Sequence, residues 1–390
     1  KSPIHNWHIS NGAVFEDVGQ WKRPWYFPIN RDETMDEAVQ RESKNVRENA
    51  GVLDGSTLGK IEIKGKDALT FMNLIYTNSF SKMKPGSSRY ALMLGEDGMV
   101  KDDGIICKIS DEHFIATTTT GGAATVLGCM EEYAQTEWPN LNVYMNSITE
   151  QYATFNISGP KTRNIIEKVF PEVNFSNEAF PFMTFQFHEY EDTPIRILRA
   201  SFTGEMGYEI YVPSNQALKI WEKIINFGKE FGLMPYGTET MHLLRAEKGY
   251  IIVGQDTDGS ITPLDLGLDW MIGKSKKDFL GKRSLIRSDT VRKDRKQLVG
   301  ILPTNKNEKL EEGQHIILDK EIKTPTPMLG HITSCYQSPT LGHNFALAVI
   351  KNGQSLIGTK AFASTPELKT IEVEIVEPIF YDKENTKLAS

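Results

Sequence analysis

The sequence is short of cysteine, of long apolar runs, of any basic leader and of the common nucleotide motifs. Its three cysteines, Cys107, Cys129 and Cys335, are scattered and form no CxxC. That spacing excludes a cysteine-built metal site and fits a reducing compartment. No apolar run is long enough to span a bilayer. No basic n-region precedes an apolar h-region, so no secretory signal is visible and the cytoplasm is the expected location. The first residue is Lys1 rather than Met, which reads as a processed chain or a piece of a longer one. A net charge of −7 argues against a nucleic-acid partner, because phosphate contacts need clustered Lys and Arg. GxGxxG, GxxxxGK[ST] and GxSxG are all absent. The eight histidines include one close pair, His5 and His8, with no further ligand nearby in sequence. Packing or solvation explains that pair better than a metal.

What is present is the composition of an ordinary soluble protein, 39% hydrophobic and 24% charged over 390 residues. That length suggests two or three domains. Residues 1–30 carry Trp7, Phe15, Trp21, Trp25, Tyr26 and Phe27, so this arm should pack against a domain. Thr34–Asn49 reads as a helix, with Thr34 as N-cap and Glu37 at the capping-box position. Residues 60–75 and 152–169 each read as a strand, a Gly-led turn and a helix. This partial repeat suggests two related α+β domains. Asp278–Gln297 is strongly basic and reads as a solvated helix; the sharper alternative is a patch for an anionic ligand tail or a partner subunit. Residues 298–390 show short alternating segments broken by Gly and Pro, which indicates an all-β sandwich or barrel.

Two stretches carry candidate chemistry. In Arg89–Cys107, Tyr90–Leu94 reads as a strand, GEDG (95–98) as a turn and Met99–Ile109 as the returning strand. Asp102 and Asp103 lie in mid-strand, so their carboxylates point to opposite faces. A carboxylate on the covered side needs a cation or a donor. Apolar residues flank both faces, so parity leaves open which of the two is covered. In Arg199–Ile210, Gly204 and Gly207 allow a sharp turn or close approach to a ligand. Phe202 and Tyr208 flank it, and Glu205 and Glu209 supply carboxylates. An aromatic beside a carboxylate suits a planar heterocycle with ring N–H donors, although a plain hairpin with core aromatics fits the pattern as well.

Taken together, these stretches resemble the aminomethyltransferase (glycine-cleavage T-protein) family. The motifs, in order, are NGAVFEDVGQWKRPWYFP (11–28), RYALMLGEDGMVKDDG (89–104), RASFTGEMGYEI (199–210), LRAEKGYIIVGQD (244–256), TPLDLGLDW (262–270) and KDFLGKRSL (277–285). Within the family the chain is similar to the folate-binding C-terminal half of the α subunits of heterotetrameric sarcosine oxidases. The pointers are the IHNWH start, STLGKIEI (56–63), TTTTGG (117–122) and the ending EPIFYD.

The resemblance implies an α+β, three-lobed T-protein-like fold. Two related α+β domains and a C-terminal all-β domain would surround a central hole for tetrahydrofolate. The implied boundaries are 1–57 with 148–255 for the folate-binding lobe, 58–147 for the lobe carrying Asp103, 256–284 for a connector and 285–390 for a β-barrel lobe. Asp103 matches the family's catalytic aspartate, with Asp102 as the fallback. Tyr90, Phe202, Glu209 and Tyr250 match folate-contacting positions; Phe202 replaces a family tyrosine. Met241 stands where the family has an arginine, which makes Arg245 a candidate for that contact. Lys387 aligns with a C-terminal family arginine. The implied activity is transfer of a one-carbon unit to tetrahydrofolate, forming methylenetetrahydrofolate, within a sarcosine-oxidase-like complex. A flavin-containing β subunit and small subunits would be the partners, and this chain itself would hold no flavin, nucleotide or metal. The alternatives are a free-standing folate-dependent aminomethyl- or methyltransferase on another donor, and a non-catalytic folate-binding or assembly subunit.

Overall fold

The computed structural model describes every residue except Lys323, and Ala389 by its backbone alone. Two sheets and a barrel organise the chain. The six-stranded sheet runs Phe185–Tyr190, Thr193–Leu198, Gly207–Pro213, Tyr152–Ser158, Ala50–Asp54 and Leu233–Pro235. Its neighbours are antiparallel except for the last pair. The five-stranded antiparallel sheet runs Ser88–Leu94, Val100–Ser110, His113–Thr118, Gly59–Lys64 and Tyr144–Ser147. Six strands between Lys296 and Val376 close into an antiparallel barrel.

The two strand–turn–helix repeats lie in different sheets. Gly59–Lys64 leads to the helix Ala68–Ile75, and Tyr152–Ser158 leads to Thr162–Val169. Each turn is made by a glycine at positive φ, Gly65 at 137° and Gly159 at 131°. A Cβ there would strike backbone, 2.1 Å from the Asn142 carbonyl oxygen at Gly65 and 2.6 Å from that of Val46 at Gly159. The repeat is therefore a backbone requirement as well as a sequence echo.

Alternation explains how the sheets stack. In Gly207–Pro213, Tyr208, Ile210 and Val212 enter the core beneath the helix Ala217–Gly228. Tyr211 faces the other way and joins Leu198, Ala200, Cys107 and Ile115 between the two sheets. Both faces are covered, so the strand is buried almost throughout. The N-terminal aromatics are packed: Trp7 meets the Trp221 ring edge-on at 5.1 Å, and His8 bonds Asp54 at 2.9 Å. The helix Met35–Glu48 starts at Thr34 with both capping-box bonds to Glu37 formed.

One expectation is corrected. The basic stretch 278–297 is not a helix: it holds a short 3₁₀ turn, Lys282–Ile286, among irregular turns. Gly281 is left-handed at φ 83°. Phe279, Leu280 and Leu285 turn into the cores around them instead of forming a helical stripe. Arg295 is drawn inward, with its Nη2 2.8 Å from Asp265. Sequence periodicity also passes over the barrel strand Lys360–Ser364 and the edge strand Tyr144–Ser147.

Candidate functional site

The two sheets, the connector and the C-terminal segment enclose a central cavity of about 1880 Å³. Strands 88–94 and 100–110 bring Tyr90, Asp102 and Asp103 to its wall. The six-stranded sheet contributes Asn156 and Glu209, and the loops add Phe202 and Tyr250. Residues from six separate stretches thus meet in one space.

Register sets the aspartate end. Tyr90 lies opposite Ile105 and Leu92 opposite Asp103, so Tyr90 and Asp103 are diagonal neighbours on one face. The Tyr90 hydroxyl donates to Asp103 Oδ2 at 2.6 Å. Asp102 points to the other face, where it accepts from the Thr119 amide at 3.3 Å and its Oδ1 is buried without a partner. Burial pushes the Asp103 carboxyl up to about 7; the Tyr90 bond pulls it back and the Asp102 charge pushes it further up. Burial likewise pushes Asp102 up to about 6 against its bonds from Thr119. The strand reaches this position through Gly104, where a Cβ would sit 1.9 Å from the Thr117 carbonyl oxygen. The Ile105 amide there donates to the Thr117 hydroxyl at 2.8 Å.

Glu209 forms the other acidic end. Asn156 Nδ2 donates to its Oε1 at 2.8 Å and the Tyr211 hydroxyl donates to its Oε2 at 2.6 Å. Each oxygen keeps a further lone pair for a ligand donor. Burial raises the Glu209 carboxyl from its ordinary range; Tyr211, Arg196, Asn156 and Lys60 oppose that rise. Phe202 and Tyr250 lie near parallel, with ring centroids 6.0 Å apart and planes at 22°.

Asp103, Asp102, Tyr90, Phe202, Glu209, Tyr250 and Met241 all line the cavity. Two of the residues matched through the family resemblance do not. Arg245 is fully buried and donates to Asp256, to the Tyr250 carbonyl at 3.0 Å and to Ser334 at 2.6 Å. It fixes the Tyr250 backbone against the barrel. Lys387 is exposed beside wall residues Asn385 and Leu388. The hairpin pairs also divide. Tyr208 goes to the core against Phe175 and Phe180, and Glu205 is held by Arg47 at 3.0 Å and by Tyr381. Sequence reading missed Asn156 and Tyr211, which hold Glu209. Tyr211 shares its strand face, an i, i+2 signal; nothing local marks Asn156.

The GCVT N-terminal domain matches residues 4–276, and the glycine cleavage T-protein C-terminal barrel domain matches residues 296–382. The chain is 49% identical over 389 residues to sarcosine oxidase subunit alpha of Corynebacterium sp. (strain P-1), covering 99% of this chain and 40% of that protein. Identity to sarcosine oxidase subunit alpha of Rhizobium meliloti (strain 1021) is 39% over 391 residues, covering 100% of this chain and 39% of that protein. The chain thus spans about two-fifths of the length of these relatives. It is 30% identical over 399 residues to an aminomethyltransferase of Alkaliphilus metalliredigens (strain QYMF), covering 99% of each. The crystal structure of glycine cleavage system aminomethyltransferase T from Bartonella henselae matches the fold with a TM-score of 0.83 at 22% identity, over 98% of both chains. With both domain models matched in order along the chain, this protein belongs to the glycine cleavage T-protein family.

Proposed function

We propose that this chain transfers a one-carbon unit to tetrahydrofolate as the folate module of a sarcosine-oxidase-like complex, forming 5,10-methylenetetrahydrofolate. The observation that carries the reading is the pair of unlike carboxylates, Asp103 and Glu209, on the wall of one cavity. The donor set fits a pterin. Glu209 has two oxygens held in place with lone pairs to spare, and Phe202 and Tyr250 offer ring faces on the wall of the same cavity. Tetrahydrofolate, when bound, supplies the amine nitrogens that take up the one-carbon unit.

The protein's own residues do the rest. Glu209 accepts ring N–H donors and sets the orientation. Phe202 and Tyr250 cover apolar surface and exclude water. Asp103, ionised above about pH 7, places a negative charge where positive charge develops on the incoming carbon. Tyr90 holds that carboxylate at one oxygen, on the wall of the cavity. Oxidation of the amine donor belongs to a flavin-containing partner subunit.

The test is tetrahydrofolate binding by calorimetry together with methylenetetrahydrofolate formation from formaldehyde above the uncatalysed rate. Native protein should do both, and Asp103→Asn should bind but not transfer. Absence of binding by native protein overturns the reading. Binding without transfer by native protein favours a passive folate-binding subunit.

A further inference from the structure

Behind the cavity wall at Glu209, between the two sheets, the fold holds more positive charge than its visible partners require. Arg196 is 6% exposed, and its guanidinium lies 4.0 Å from the Tyr211 ring centre. Its Nε has no hydrogen-bond partner. Lys60 is fully buried, and its Nζ donates to the Ser56 and Leu58 carbonyls at 2.9 Å each. Among the described residues, neither cation forms a direct ion pair with a carboxylate. Two buried cations held only by a ring face and two carbonyls are costly, and a fold keeps them where they serve a nearby anion.

Two carboxylates act on Lys60, Asp54 and Glu209. Asp54 is already matched, by His8 Nε2 at 2.9 Å and by Ser56. That leaves Glu209. The strand register shows how it is reached: Arg196 pairs with Tyr211, and Leu198 pairs with Glu209. On the next strand, Asn156 stands opposite Glu209. Arg196 and Tyr211 therefore form one row across the sheet, with Glu209 and Asn156 in the row beside it. Both rows lie on the face turned toward the five-stranded sheet. Tyr211 touches both ends, with its ring under Arg196 and its hydroxyl on Glu209.

We infer that Arg196, backed by Lys60, is a positioning residue that holds Glu209 as a charged acceptor for the N–H donors of a pterin ring. The ligand's identity rests on the proposed function; the electrostatic role does not. The groups facing this site come from every packed element. They are Arg196 and Tyr211 from the six-stranded sheet, Lys60, Cys107 and His113 from the five-stranded sheet, and Tyr236 at the far edge. Burial works to protonate Glu209, and Arg196 is the strongest cation opposing it, ahead of Lys60. Burial already raises the carboxyl with Arg196 in place, and without Arg196 the rise is larger. A protonated Glu209 would present a hydroxyl where two acceptors are needed, and ring N–H donors would lose their partners.

The experiment begins without ligand. An infrared pH titration follows the Glu209 carboxyl, assigned by its disappearance in Glu209→Gln. In Arg196→Met the midpoint should move upward, and in Arg196→Lys by less. If Arg196→Met does not fold, Lys60→Gln reads the same midpoint and should also move it upward. An unmoved midpoint in the folded variant overturns the inference. Calorimetry with tetrahydrofolate adds the second readout. Arg196→Met should weaken binding on the order of tenfold at mildly acid pH and recover it at alkaline pH. A loss independent of pH would indicate a packing role and overturn the inference. Failure of native protein to bind tetrahydrofolate would sink the proposed function, while the infrared midpoint would still decide this one.

Discussion

The two acidic ends of the cavity hold the same functional group in opposite surroundings. Glu209 is buried but supplied with two side-chain donors and two cations. Asp103 is half-buried, with a side-chain donor, Tyr90, and a like charge, Asp102, as its neighbours, and among the described residues no cation acts on it. In the first arrangement donors and cations oppose the rise that burial imposes on a fixed acceptor. The second favours a carboxyl balanced near neutrality, at about 7. In the proposed function, environment rather than residue type separates the binding acid from the reacting one. The sheets make this possible, because each end is set by the pairing of its own strands.

Substitutions at each end break the comparison in different ways. The largest effect belongs to Asp103→Asn. Asn keeps the shape and removes the charge, so one-carbon transfer should fall by about 10²–10⁴-fold while tetrahydrofolate affinity is kept. Gly104→Ala would disrupt the aspartate end alone. The new Cβ meets backbone at 1.9 Å, which no rotamer relieves. Thermal or denaturant unfolding should show a loss of about 3 kcal/mol. Glu209→Gln removes the acceptor charge from the other end. Calorimetry should show affinity reduced by about ten- to a hundredfold, with no pH dependence at that end. The smallest effect is that of Asp102→Asn. Its charge raises the Asp103 carboxyl, so removing it should move the acid limb of the rate profile to lower pH. The plateau rate should change little. An unmoved limb would show that the two aspartates are not coupled.

Much of the frame was legible, because its signals are local. The capping box at Thr34 and Glu37, the 95–98 turn and the two strand–Gly–helix units all lie within a few residues. The barrel was legible from alternation and breakers. The basic stretch misled because charge spacing imitates a solvated helix, while Phe279, Leu280 and Leu285 are spent on three-dimensional contacts. The site was half legible. Strand parity says that Asp102 and Asp103 diverge, but only pairing with the Tyr90 strand shows which of them meets a hydroxyl. Arg245 looked like a ligand cation, yet its partners Asp256 and Ser334 lie 11 and 89 residues away. Asn156 reaches Glu209 from 53 residues away, beyond any spacing rule.

The most direct measurement is a parallel pH titration of tetrahydrofolate binding and one-carbon transfer on native protein. The ionised fraction of a carboxyl with its midpoint at about 7 falls as pH drops through that value. Transfer, measured at saturating tetrahydrofolate, should decline as pH falls through about 7, on a midpoint distinct from that of binding, because different carboxyls set the two. Binding and transfer falling together, or transfer indifferent to pH across that range, would contradict the account.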